Sequence, residues 1–317
     1  AAQVQSMTTA QIEGLSTTQV AKLAATQLAA LSSTQMAAMQ TDDLKQLGTA
    51  QLGYLNQNVF SGMGTAQVAN MGTAQIAGLG GLQVKQLSTA NIQAMTSDQV
   101  KALSVAAMQS LSSAQVAALD TVDVAQLSTG QIRALSNGGL SGLTTAQVNN
   151  MGTQQVAAFS AEQLKVMSSN QLVALSTAQA AALTSTQMAG LAPTQIAAMQ
   201  TEDVAALTTR AIGAMSAAQV QGLTTAQVAG LSTTQAAGLG ATQVGALTST
   251  QLKAMETADL ARLTTSALQA LSNNALAGLT TTQVANMGTA QVAALSDVQI
   301  KQLSSANIQA LTSAQAK

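Results

Sequence analysis

The chain is a tandem array of eight-residue units, and this period restricts the possible folds more than any other feature. From Met7 to Lys317 the sequence divides into 39 units without an insertion or a deletion, and the last unit is one residue short. Position 1 of the unit is Leu in 27 cases, Met in 11 and Phe once, and position 6 is always apolar. Eight residues cannot enclose a core of their own. The units must therefore bury their apolar side chains against one another.

Position 2 of the unit marks the start of a helix. Ser or Thr occupies it in 25 units and Gly in seven, and these residue types are preferred at a helix N-cap. With position 2 as the N-cap, the Gln found at position 5 in 27 units becomes the third helical residue. A glutamine there can close a capping box, while positions 1 and 6 meet as a hydrophobic staple. The pattern predicts one very short helix per unit.

Three other features agree with this register. The only proline, Pro193, stands at position 3, the first helical residue, where its missing N–H costs nothing. All acids but Glu13 lie at positions 2 to 5, and all bases but Arg210 lie at positions 7 or 8, as the helix dipole favours. Glycines concentrate at positions 8 and 2, where we expect each helix to end and the chain to turn. The sequence predicts an all-α solenoid, a superhelix of mini-helices.

Two other architectures fit the pattern less well. A single continuous helix would turn by about 80° beyond two full turns in every eight residues, so its apolar positions would spiral around the rod. A β-solenoid with one strand per unit is the remaining alternative. The abundance of Ala, Gln, Leu and Met, and the lack of a period of two, argue against strands.

A longer, 80-residue period overlies the units. It is marked by Asp at position 5 and by Lys at position 7. The aspartates are Asp43, Asp123, Asp203 and Asp259, and the lysines are Lys85, Lys165 and Lys301. The first three aspartates are 80 residues apart. Each of the three lysines lies 42 residues after one of the four aspartates. Duplication of an 80-residue block explains this, and a second hypothesis is that the charges meet and set the register. We predict one continuous solenoid over residues 1–317.

Composition argues against an enzyme. There is no His or Cys, and the lysines are isolated, so the many hydroxyls have no adjacent base to activate them. The acidic pairs Asp42–Asp43 and Glu202–Asp203 supply too few oxygen ligands for a calcium loop, and we expect them to be solvated at helix starts. We therefore predict no catalytic, cofactor-binding or metal-binding residues and no cofactor.

Charge and hydropathy exclude further partners. The net charge is −1 and the 11 basic residues are scattered, so there is no phosphate-binding stripe and we predict no nucleic-acid binding. The uncharged stretch 46–84 carries polar residues in every unit, which argues against membrane insertion. The chain begins and ends within a repeat, so we expect it to be part of a longer array.

The tandem pattern L-[ST]-T-A-Q-[VI]-A-A resembles the Ala/Thr/Gln-rich arrays of very large bacterial cell-surface and secreted proteins, often called adhesin-like. The resemblance covers the whole chain. It implies an extracellular or cell-surface location and a stalk, fibre or matrix role. It identifies no functional residue.

These observations lead to two functional hypotheses. The first is a structural protein that associates with itself into an extracellular filament, sheath or surface layer, because low net charge leaves little repulsion to oppose association. A cell-surface or matrix partner is possible as well. The alternative is a binding or adhesin stalk whose groove presents positions 7 and 8 to a peptide, glycan or surface. It predicts a cluster of unusual exposed residues, and the candidates are Tyr54, Asn56, Asn58 and Phe60.

Overall fold

A computed structural model describes residues 2–316 of the protein. Within these residues there are 39 helices of four to six residues and no β-strand. The predicted all-α solenoid is confirmed, and the β-solenoid alternative is wrong. The contacts divide the chain into two compact units, Ala1–Ala158 and Phe159–Lys317, and each is described by itself. The prediction of one continuous solenoid stays a prediction.

The first compact unit contains nineteen α-helices and one 3₁₀-helix, Gln57–Gly62. Its α-helices are Ala2–Gln5, Thr9–Glu13, Thr17–Ala21, Ala25–Leu28, Ser33–Ala38, Thr41–Leu44, Thr49–Tyr54, Thr65–Ala69, Thr73–Ala77, Gly81–Gln86, Thr89–Gln93, Ser97–Ala102, Val105–Ser110, Ser113–Ala117, Thr121–Val124, Thr129–Ala134, Asn137–Leu140, Thr145–Asn150 and Thr153–Ala158.

The second compact unit contains nineteen α-helices. They are Ala161–Val166, Ser169–Val173, Thr177–Ala181, Ser185–Gly190, Pro193–Ala198, Thr201–Ala206, Thr209–Gly213, Ala217–Gly222, Thr225–Ala229, Thr233–Ala237, Ala241–Gly245, Ser249–Ala254, Thr257–Leu260, Thr265–Gln269, Asn273–Leu276, Thr281–Ala285, Thr289–Ala293, Asp297–Ile300 and Ser305–Gln309.

The helix starts follow the predicted capping chemistry. At a regular unit, the Gln115 amide donates to Ser112 Oγ at 3.2 Å, and the Ser112 amide donates to Gln115 Oε1 at 2.9 Å. Ser112 has the extended backbone of an N-cap, with φ −75° and ψ 165°. Pro193 is the first residue of its helix, as predicted. Position 2 is therefore the N-cap in both compact units.

The junctions between helices are not made by left-handed glycines. The helices end and the chain turns near positions 8 and 2, as expected, but no residue of 2–316 has a positive φ. An extended backbone at positions 1 and 2 makes the turn instead. Several glycines at position 8 serve a different purpose, because a Cβ at Gly62 or Gly142 would overlap the backbone of Ser33 or Ser113. They allow two successive turns to approach closely.

Stacking of the units supplies the core. Every described helix after Ala2–Gln5 packs against a helix three units away, as Gly81–Gln86 does with Val105–Ser110. Side chains at positions 1 and 6 fill the interior, and Leu111 and Val116 are typical in being buried. Burying one such aliphatic side chain contributes about 1.5–3 kcal/mol, whereas a helix of six residues is unstable by itself. Packing between turns therefore holds the helices.

Candidate functional site

The most regular feature of the interior is a ladder of glutamines at position 5. Besides closing its own capping box, Gln115 donates from Nε2 to the carbonyl oxygens of Val84 at 2.9 Å and Leu87 at 2.7 Å. These acceptors lie 31 and 28 residues earlier in the chain. In the second compact unit Gln219 donates in the same way to Met188 at 2.7 Å and Leu191 at 2.6 Å. We call this arrangement the glutamine ladder.

The ladder defines how the solenoid winds. Helix packing relates units that are three octads apart, and the Nε2 bonds reach back 28 and 31 residues. One turn of each compact unit therefore contains between three and four octads. Each ladder glutamine joins the start of its own helix to the end of a helix on the preceding turn.

Burial makes the ladder energetically important. Gln115 and Gln219 are almost fully buried, and a buried amide without partners costs about 1–3 kcal/mol. Here the Oε1 and both Nε2 hydrogens have partners. The acceptors are backbone carbonyls, so they are present whatever side chain the preceding turn carries. Sequence reasoning predicted the Oε1 bond and missed the Nε2 bonds.

Aspartate replaces glutamine in the ladder at four units. The four residues are Asp43, Asp123, Asp203 and Asp259, and all are buried. Their N-cap residues, Gln40, Asp120, Gln200 and Glu256, make no side-chain cap bond. A carboxylate cannot donate as Nε2 does, so these units lack the link that position 5 makes to the preceding turn. In two of them the glutamine at position 2, Gln40 or Gln200, donates to a carbonyl of that turn instead.

Burial raises the pKa of three of these aspartates. It raises the pKa of Asp259 to about 6, and the nearby Glu256 contributes to this rise. Burial also raises the pKa of Asp43, with a smaller contribution from Asp42. At Asp203 burial raises the pKa, a hydrogen bond from Thr177 opposes the rise, and Glu202 adds to it. The main cause at all three is the loss of water around the charged form.

Two sequence-based expectations about these acids are wrong. Asp43 and Asp203 are not solvated, because position 5 points inward; only their neighbours Asp42 and Glu202 are exposed. Among the described residues, no ion pair joins Asp43 to Lys85, since the aspartate is buried and position 7 is exposed. The same holds for Asp259 and Lys301. The ion pairs Lys45–Asp42 and Lys101–Asp98 instead lie on the surface, each between neighbours in sequence.

Each ladder aspartate is followed, two octads and three positions later, by a glycine that faces the preceding turn. These glycines are Gly62, Gly142, Gly222 and Gly278. A Cβ would overlap backbone at three of them, and at Gly222 it would lie 3.0 Å from Pro193 Cβ. The 80-residue pattern therefore combines two features: position 5 lacks its amide donor, and 19 residues later the backbones of two successive turns approach closely.

An irregular surface lies in the first compact unit, where two shallow grooves meet at Leu82. This side chain is 64% exposed. Gly78 and Gly80 border one groove, and Gly138 and Gly139 border the other. We call this surface the Leu82 groove. With Gly53, which also borders the first groove, it brings together five glycines from three separate parts of the sequence around one exposed apolar side chain.

The predicted cluster around Tyr54 is only partly formed. Tyr54 is 51% exposed, and Asn56 borders the Leu82 groove. Asn58 is exposed too. Phe60, by contrast, is fully buried at position 6, so its inclusion among exposed binding residues is wrong. The repeat pattern predicts this burial, because position 6 is apolar in every unit.

Metal binding and membrane crossing are two further functions that the described residues can be compared with. Within residues 2–316 there is no group of three or more His, Cys, Asp or Glu that could hold a metal ion. None of the helices described has the length and apolar character needed to cross a bilayer.

A family comparison bears directly on the ladder. The model of the ALTTAQ repeat matches seven segments that together cover most of the chain, at residues 36–81, 68–105, 92–129, 124–161, 157–193, 196–233 and 252–289. The chain belongs to the ALTTAQ repeat family. The six letters of the family's name correspond to position 8 followed by positions 1 to 5, so the ALTTAQ repeat contains the helix junction, the N-cap and the ladder glutamine. No curated protein sequence shows significant similarity to this ALTTAQ chain.

Proposed function

We propose that the protein is a structural subunit that associates with itself into an extracellular filament, sheath or surface layer. The glutamine ladder is the observation that carries this proposal. Its donors are side chains that recur at position 5, and its acceptors are backbone carbonyls. The carbonyls of a turn can therefore accept the same bonds from ladder glutamines of another copy as from those of the same chain.

The surface supports the same proposal. With 11 basic and 12 acidic residues in 317, little electrostatic repulsion opposes association. Large apolar side chains are exposed on both compact units, and Leu82, Val122 and Val298 are each more than half exposed. Each such side chain would add buried apolar area where two copies meet. The extracellular location is proposed from the family resemblance of the repeat.

Electron microscopy and sedimentation velocity over a dilution series of residues 1–317 test the proposal. The wild-type chain should form regular filaments or sheets that dissociate on dilution. In the first turn, Gln11 and Gln19 close their own capping boxes, and the amide of Ala24 donates to Gln27. Replacing all three glutamines with Glu converts Nε2 donors into acceptors that repel carbonyl oxygens. The triple variant should assemble much more weakly.

The matched control carries the same change of charge away from the ladder. Gln126, Gln221 and Gln302 are exposed at positions 7 or 8, so their replacement by Glu adds three negative charges without altering position 5. This control should sediment more like the wild type than the ladder variant does. Monomers at every wild-type concentration would refute self-association, and equal weakening by both triple variants would refute the role of the ladder.

A second candidate function, binding of an extended and uncharged polymer segment, is favoured by the Leu82 groove. Asn56, Gln57 and Ser110 offer hydrogen bonds from its border, Leu82 offers an apolar contact, and Lys85 is the one charged residue at its described border. This surface suits a neutral glycan chain or an uncharged peptide better than a charged ligand. It would make the array a stalk that presents a binding surface.

Tyr54 is a built-in probe for this second function. It is the only tyrosine, there is no Trp, and it stands between the groove residues Gly53 and Leu55. Dextran and an uncharged Gly/Ser peptide can be titrated while tyrosine fluorescence is recorded. A saturable change that Leu82→Glu abolishes and Val298→Glu retains would support binding. No saturable change with either probe would reject it.

A further inference from the structure

The ladder aspartates place a negative charge where every regular unit places a hydrogen-bond donor. We propose that Asp43, Asp203 and Asp259 form acid-responsive seams in the solenoid: protonation of each carboxylate supplies the donor that joins two successive turns, and ionisation removes it. The seams lie within one folded chain, so they do not depend on the assembly proposed above.

The register of the ladder identifies the acceptors at the first seam. Glutamines donate to carbonyls 28 and 31 residues earlier, as Gln35 does to Val4 and Met7. The same offsets place the carbonyls of Ile12 and Leu15 opposite Asp43. The neighbouring Gln40 confirms the alignment, since its Nε2 donates to the carbonyl of Glu13 at 3.0 Å. An ionised Asp43 therefore places a carboxylate, and no donor, opposite these two carbonyl oxygens.

The second and third seams share the register of the first, although Thr177 donates a hydrogen bond to Asp203 and the third seam has Glu256 in place of a position-2 glutamine. Gln200 donates to the carbonyl of Val173 at 3.0 Å, which places the carbonyls of Leu172 and Leu175 opposite Asp203. At Asp259 the offsets lead to Val228 and Leu231. Among the described residues, the buried Oδ2 atoms of Asp43, Asp203 and Asp259 have no hydrogen-bond partner. Each carboxylate oxygen without a partner lies opposite carbonyl oxygens. Adding one proton turns the carboxylate into a donor that can bond to one of them.

The helices that pack against these aspartates offer no basic side chain that could donate a hydrogen bond in place of the proton. Asp43 packs against Thr17–Ala21 and Thr65–Ala69, which contain no ionisable residue, and Lys22 follows the first of these helices. On its own helix and just beyond it, the charged residues are Asp42 and Lys45, which pair with each other. Glu13 lies in the preceding turn, where its backbone carbonyl accepts the hydrogen bond from Gln40 Nε2.

The surroundings of the other two seams are also short of positive charge. Asp203 packs against Thr177–Ala181 and Thr225–Ala229, and both helices lack ionisable residues. Asp259 packs against Thr233–Ala237 and Thr281–Ala285, which lack them too. The charged neighbours in sequence are Glu202 for the second seam and Glu256 and Arg262 for the third. Arg262 borders a surface pocket with Thr233 and Thr234.

The sign of the pH effect follows from the raised pKa of these groups. A carboxyl group whose pKa is higher in the folded chain binds more protons there than in the unfolded chain, so stability falls as pH rises between the two values. For Asp259 that window runs from 3.8 to about 6. A pKa that is higher by one corresponds to a tenfold change in an equilibrium constant. As pH rises through this window, the third seam alone can therefore raise the unfolding equilibrium constant by up to about a hundredfold. The solenoid should tighten in mild acid.

Thermal unfolding followed by far-UV circular dichroism, between about pH 5 and about pH 7, tests the seams because this range lies above the usual pKa of an aspartate or glutamate side chain. The wild-type midpoint should rise as pH falls. The triple variant D43N/D203N/D259N is neutral and similar in shape, and its midpoint should be higher than that of the wild type at neutral pH and nearly independent of pH. A second triple variant, D43Q/D203Q/D259Q, restores the ladder donor and should behave in the same way.

The control is D98N, which removes an exposed carboxylate that pairs with Lys101 on the surface. Its pH profile should follow that of the wild type. The inference is overturned if the wild-type midpoint is flat or falls with acid in this range, or if the neutral triple variants keep the wild-type slope. Failure of the neutral variants to fold would also overturn it, because the ionised aspartates would then be required.

Discussion

Two units of the same fold differ in what their fifth residue does. In the unit that begins at Leu111, Gln115 links its own N-cap to two carbonyls of the preceding turn. In the unit that begins at Met255, Asp259 is equally buried and its Oδ2 has no partner. Both units nevertheless form a helix and bury positions 1 and 6. Apolar stacking therefore suffices to form the solenoid, and the ladder joins its turns.

The largest expected effect comes from converting a regular unit into a seam. Gln115→Asp should destabilise the protein by about 3 kcal/mol at neutral pH, because it removes two hydrogen bonds and buries a charge opposite the carbonyls of Val84 and Leu87. Urea unfolding by circular dichroism gives the change. Hydrogen exchange of peptides from residues 84–117 should show that the loss is local.

Gln115→Ala is the matched comparison for that variant. Alanine stands at position 5 in natural units such as the one containing Ala107, so it removes the donors without adding a charge. We expect a cost of about 2 kcal/mol that does not depend on pH in mild acid. Equal costs for the Asp and Ala variants at neutral pH would show that the buried charge contributes nothing.

A loss of similar size is expected where the backbones of two turns meet. Gly142→Ala should cost about 2 kcal/mol, because its Cβ would overlap the Ser113 backbone and push the turns apart. Gly138→Ala is the control: a Cβ there meets nothing within 4 Å, so helix propensity should stabilise the protein by about 0.5–1 kcal/mol. The two urea midpoints should move in opposite directions. Movement in the same direction would refute the close-approach argument.

These variants also separate what the sequence could predict from what it could not. The capping box of Ser112 and Gln115 depends on residues three apart, so a unit-by-unit analysis found it. The bonds from Gln115 to Val84 and Leu87 depend on the number of units per turn, which is set by side-chain packing and has no signature within an octad. The charge of Asp43 favours a solvated helix start, but its position in the unit favours burial. In the units without Asp, position 5 holds Gln, Asn, Ala, Gly or Val, and this lack of other charged residues is the signal that position 5 faces the interior.

A gain of intermediate size is expected when a seam is converted into a regular unit. Asp259→Gln should stabilise the protein by about 1–2 kcal/mol at neutral pH, since Nε2 can then reach the carbonyls of Val228 and Leu231. The gain should shrink as pH falls through about 6, where the wild-type Asp259 acquires its proton. Urea unfolding at several pH values measures it. A gain that is constant over this range would show that Asp259 does not titrate there.

The smallest effect separates the cap from the ladder. Ser112→Ala removes the acceptor for the Gln115 amide at 3.2 Å and leaves the Nε2 bonds in place, so we expect a cost of about 1 kcal/mol. Ser113→Ala, at the exposed first helical position, should change stability little. Combining Ser112→Ala with Gln115→Ala completes a double-mutant cycle. Because the cap and the ladder share one glutamine, the double variant should lose less than the sum of the single losses; strict additivity would show that Gln115 joins the turns independently of the helix start.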